Sequence, residues 1–191
     1  KGSGKKECKM YFPHVVSDFA LMAAINESLV KMISLDRRKE LTDLEDLNYS
    51  AERDERGRFL SLSAGQRMML RAGLTRLNIL EEGFNALGKY PKMLVLCEDT
   101  EVSQAVFEFM AGVEGCGLEK EEVLRIDSDK KGEVNLDEWK KLKEKLFNID
   151  KHRKPKVIIS VLMLREGFDV NNVCVIVPLR ASQSNILLEQ I

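Results

Sequence analysis

The chain has 191 residues, 44% of them hydrophobic and 32% charged, with a formal net charge of −1. That balance allows one buried core and excludes a uniformly basic nucleic-acid coat, so a polyanion partner must be met by a local patch. Cys8, Cys97, Cys116 and Cys174 are scattered without a CxxC pair, the only histidines are His14 and His152, and no apolar run approaches the roughly 20 residues of a membrane span, which leaves no disulfide framework, zinc site or membrane partner to expect. A reduced, cytoplasmic protein is expected, with no leader peptide.

Residues 1–13 are polar and basic and read as a flexible terminus. GSGKK, residues 2–6, echoes the end of a phosphate-cradling loop, but Lys6 stands where Ser or Thr is needed and no strand precedes it. From His14 the pattern is α/β. Asp18 is placed to cap a helix that follows, and VKMISLD, 30–36, reads as a strand. Residues 36–62 are charged and irregular and read as a loop-rich excursion. Ser63 fits the N-cap of a helix over 64–87, with Leu70, Leu74, Leu77, Phe84 and Leu87 on one face and Gly88 at its end. Residues 14–90 thus form a lead-in region closed by a long helix, and 91–191 a core.

In that core the strands are 93–99, 123–127, 157–164 and 173–179, separated by helices over 101–111 and 136–147, with a last helix from about Ser182. The alternation predicts a mainly parallel sheet with helices on both faces. Ligands of such sheets sit beyond the carboxyl ends of the strands. Those ends carry Cys97, Glu98 and Asp99; Asp127 and Asp129; and Arg165, Glu166, Gly167 and Asp169.

Two other signals compete. Asp127, Asp129, Gly132, Asn135 and Glu138 have the spacing of a calcium loop, but Lys131 stands at a ligand position beside Lys130, and the upstream VLRID reads as a strand. A strand-to-helix loop is the reading preferred. Basic residues gather between Lys130 and Lys156, with acidic ones interspersed; a solvated helix face is preferred there to a DNA track.

Taken in order, PHVVSDF, ESLVK, NYSAERDERGRFLSLSAGQRMMLRAGL, KMLVLCEDTEVSQAVFEFM, VLRIDSDKKGE and IISVLMLREGFDVNNVCVIVPLRASQSNILLEQI resemble the second half of the ATPase motor in the restriction subunit of type III restriction enzymes, a branch of the superfamily 2 helicases. The resemblance covers nearly the whole chain from His14. It implies a RecA-like second domain in which 92–109 is similar to motif IV and 160–170 to motif V. Gly167, Asp169, Arg165 and Glu166 would then face nucleotide and the interdomain contact, and Ser160 the nucleic-acid backbone. Gln190 would be the only residue of motif VI within the chain, whose glycine and arginines would begin just past Ile191. The same resemblance implies ATP and Mg2+ as cofactors of the parent protein, neither held by this chain alone. It also implies double-stranded DNA, a first RecA-like domain and a modification methyltransferase subunit as partners, in a bacterial cytoplasm. Apart from the resemblance, the residues also fit a non-catalytic, doubly wound interaction module whose LREGFD loop binds a partner.

Overall fold

The structure, a computed structural model, describes residues 21–29, 32, 34, 47–127, 149–161 and 172–179. The chain divides into two compact units, Lys1–Asp43 and Leu44–Ile191. In the first unit α1, Leu21–Asn26, is followed by Ser28 in the left-handed region at φ 58, where the Leu29 amide donates to Ala24 O and ends the helix. The strand expected over 30–36 is not seen at its described residues: Met32 and Ser34 belong to no helix or strand, and Met32 is 76% exposed.

The second unit opens on a hairpin where the sequence suggested only loop. β1, Glu52–Arg53, pairs antiparallel with β2, Phe59–Ser61. Asp54 begins the turn: its carbonyl accepts from Gly57 N at 2.8 Å, and its carboxylate accepts from the amides of Arg56 at 3.0 Å and Arg58 at 2.8 Å. Gly57 has φ 76, a conformation that costs glycine least, which is why a short charged stretch can reverse here. The base of the hairpin is apolar, with Ala51 and Leu62 buried and Phe59 packed against the main core.

α2, Ala64–Asn85, starts as expected at Ser63. The Ser63 hydroxyl accepts from Gln66 N at 3.2 Å, and Gln66 Oε1 accepts from Ser63 N at 3.2 Å, a reciprocal cap. Its buried stripe runs through Leu70, Gly73 and Leu77 to Glu81. The expected continuation to Leu87 is corrected: α2 stops at Asn85, and Leu87 is 71% exposed. The carboxylate of Glu81 takes the buried position because Lys156 Nζ meets it at 3.1 Å.

The remaining strands are β3, Lys92–Cys97; β4, Val123–Asp127; β5, Val157–Val161; and β6, Val173–Pro178, with α3, Thr100–Ala111, between β3 and β4. They form one sheet in the order β4-β5-β3-β6, every pairing parallel. All five residues of β5 are buried, as two-sided covering of a parallel strand requires. On one face Met93, Val95 and Cys97 join Leu70 and Leu77 of α2 and Val102, Val106 and Met110 of α3. On the other, Leu94, Ile126 and Ile158 close around Ile149. α2 and α3 share the first face; the helix expected over 136–147 lies outside the described residues.

α2 rides close to the sheet at Gly73, where an added Cβ would stand 2.6 Å from Val177 Cγ2 and 2.9 Å from Met93 Cε. Val177 is stiff at χ1 and cannot swing aside. Gly73→Val should therefore destabilise the chain by about 2 kcal/mol or more through overpacking. Gly83→Ala in the same helix, where nothing lies within 4 Å of the added carbon, should stabilise by about 0.5–1 kcal/mol. Urea unfolding of the two variants checks the opposite signs.

Candidate functional site at the carboxyl edge of the sheet

β3 and β5 are neighbours at the centre of the described sheet, yet the chain leaves them toward opposite edges: β3 leads through α3 to β4, and β5 leads to β6. Such a reversal is the switch point at which open α/β sheets bind ligands. Its floor is the carboxyl end of the two strands, where Cys97 pairs in register with Val161.

Beyond β3 stand Glu98 and Asp99. Asp99 is the N-cap of α3, its Oδ1 accepting from Val102 N at 2.8 Å. The predicted strand end at 99 is thereby corrected to Cys97, because an extended capping residue cannot also continue the ladder. Both carboxylates are taken by one side chain from the hairpin: Arg53 Nη2 donates to Glu98 Oε1 at 2.7 Å and to Asp99 Oδ2. Its Nη1 donates to Gly57 O at 3.1 Å, within its own turn. The Glu98 carboxylate, and after it that of Asp99, drives the Arg53 pKa further upward, so the guanidinium stays charged. Burial alone would raise the Asp99 pKa, but the Val102 amide and Arg53 outweigh it and hold the carboxyl below the ordinary aspartate value.

Ser160, expected at the nucleic-acid backbone, is the penultimate residue of β5, opposite Leu96 of β3 and Ile126 of β4. It is 4% exposed, and its hydroxyl has no hydrogen-bond partner among the described residues. Arg165, Glu166, Gly167, Asp169 and Gln190 lie outside the described residues, as do Asp129 and the later positions of the calcium-like loop, while Asp127, its first position, is the last residue of β4, opposite Val161 of β5. Of the basic stretch, Lys154 pairs with Glu119, while Lys156 meets Glu81 and, at 3.5 Å, Glu122. Lys156 directly precedes β5, so these charges belong to the amino end of the sheet and not to the switch point. Among the described residues no three His, Cys, Asp or Glu side chains are grouped to hold a metal. Cys97, Cys116 and Cys174 are thiols, and burial pushes that of Cys116 up. No helix of the described residues is long and apolar enough to cross a membrane.

Arg53 is the residue that sequence reading missed. Its signal was present: Asp54 and Gly57 have turn spacing between flanking Ala51 and Phe59, which would have set Arg53 at the end of a strand.

Two substitutions probe this edge. Asparagine caps a helix as well as aspartate does, so Asp99→Asn isolates the charge shared with Arg53. The folded-state pKa of Asp99 lies below its unfolded value of about 3.9, so the stabilisation is complete above that pH and is lost as pH falls through the lower folded value. Unfolding at neutral pH should show a loss of about 1 kcal/mol or less for a partly solvated pair, and the difference from wild type should vanish near pH 2. Ser160→Ala removes a desolvated hydroxyl and should leave stability unchanged or raise it by about 1 kcal/mol; a clear loss in thermal unfolding would reveal a bonded hydroxyl. In comparisons with known proteins, no family model matches this chain, and neither a curated protein nor a solved structure matches it.

Proposed function

We propose that this chain is the second RecA-like lobe of an ATP-driven DNA translocase of the type III restriction kind, in which it closes against a first lobe. The observation that carries the reading is a coincidence of sequence and topology. LREGFD, residues 164–169, begins three residues after the end of the strand whose carboxyl end borders the switch point. The all-parallel order and the polar residues gathered past β3 support it.

On this reading the lobe grips the phosphate backbone of double-stranded DNA, and closure of the cleft shifts that grip. Gly167 allows close backbone approach, Asp169 accepts hydrogen bonds, and Arg165 and Glu166 couple the lobes. ATP and Mg2+ do not fit this chain as their principal site. It has no complete phosphate-cradling loop, and past β3 two carboxylates, Glu98 and Asp99, stand against one guanidinium, Arg53. They belong on the first lobe of the parent protein, so the isolated chain should release no phosphate from ATP with or without DNA. A modification methyltransferase subunit would supply site recognition in the bacterial cytoplasm.

The test is DNA-stimulated ATPase of the full-length protein carrying Arg165→Ala or Asp169→Ala. A loss of about tenfold or more in each is expected for residues that act only in the closed state. Wild-type rates in both would leave the doubly wound interaction module as the better reading.

A further inference from the structure

We propose that Arg53 is the positioning residue of the carboxyl edge: it holds the β3–α3 turn in the form in which Asp99 caps α3, and it lowers the negative charge that a phosphate-bearing ligand would meet there. The second half rests on the function proposed above; the first does not.

The hairpin is built to deliver one guanidinium. Its base is anchored by Ala51 and Leu62, and Phe59 packs into the core shared with Val102 and Val106 of α3. β2 itself lies against α3. Arg53 is therefore presented from a fixed base, and the bond from Nη1 to Gly57 O sets which nitrogen faces the sheet. Nη2 then serves both carboxylates.

Asp99 spends its two oxygens on two different structures. Oδ1 caps α3 through Val102 N, while Oδ2 accepts from Arg53. Without the guanidinium, Glu98 and Asp99 are adjacent like charges at the end of one strand. Their repulsion favours turning one carboxylate out toward water. The cap is the bond at risk, since the side chains of Glu98 and Asp99 are already 31% and 35% exposed.

Charge gives the second consequence. With Arg53 docked the trio carries one net negative charge; without it the edge carries two. A phosphate approaching the switch point meets the difference at short range, where salt screens it least.

The experiment compares the wild-type chain with Arg53→Gln, Arg53→Lys and the double variant Arg53→Gln with Glu98→Gln. Amide hydrogen exchange is read at Val102, with Leu77 of α2 as the distant control, and binding of a short duplex DNA is read at low salt. Arg53→Gln should speed Val102 exchange about tenfold while Leu77 is unchanged, with Arg53→Lys between the two. The same variant should weaken duplex binding about tenfold, and Glu98→Gln on top should restore affinity to about threefold of wild type by restoring the charge. Unchanged Val102 exchange in Arg53→Gln overturns the positioning role. Weakened binding that Glu98→Gln leaves weak overturns the charge role. If the wild-type chain binds no duplex, the charge role falls together with the DNA reading, and Val102 exchange still decides whether Arg53 positions the turn.

Discussion

A parallel sheet buried on both faces has room for polar chemistry only past the ends of its strands. β5 shows the constraint: five consecutive residues are buried, and the one hydroxyl among them, Ser160, finds no partner among the described residues. Desolvating a polar group without a hydrogen bond costs about 1–3 kcal/mol, so charges cannot be placed along such a strand. They are pushed to its two ends. Much of the polar organisation of the second unit follows from that exclusion.

The two ends have solved the problem differently. At the amino end, Lys92 is fully buried, its ammonium donating to His152 O at 2.5 Å and lying 5.9 Å from the centre of the Tyr90 ring. Lys156, Glu81 and Glu122 form a second set there, with side chains only 13%, 12% and 15% exposed. Charges so far from water hold one another because separation would leave each unpaired in a poor dielectric. That end fastens α2 and the loop after Ile149 to the sheet. At the carboxyl end the side chains of Arg53, Glu98 and Asp99 are about a third exposed. Water can replace any of their bonds at modest cost, so this end is the one able to exchange partners.

The core strands were legible in the sequence because their residues meet a demand that few other environments make. Runs such as MLVLC and VIISV are too continuously apolar for a half-exposed strand and too short for a helix, and β3, β4, β5 and β6 begin within a residue of where those runs begin. Ser63 announced α2 through a cap that depends only on residues three apart. Where legibility failed, a tertiary partner decided the outcome. Glu81 is buried because of Lys156, far along the chain, and Leu87 is exposed because the helix had already ended. The hairpin was hidden by its brevity: strands of two and three residues cannot display an alternation. Of the candidate site, Glu98 and Asp99 were assigned to the carboxyl end of their strand, which stops just before them at Cys97, while Arg53 was invisible because its role is defined by two residues 45 and 46 positions away.

That separation has a physical meaning of its own. Closing a loop of such length carries an entropic cost that grows only slowly with length, and here it is met mainly by Ala51, Leu62 and Phe59 entering the core, not by the ion pair. The apolar base can therefore keep the hairpin in place while the guanidinium at its end changes partner. An arm anchored by burial and ending in a solvated charge separates two jobs that one residue could not perform together. Holding on requires a contact that water cannot replace, whereas responding to a ligand requires one that it can. In this chain the residues facing the core make contacts of the first kind, and Arg53, about a third exposed, makes one of the second kind at the carboxyl end of β3.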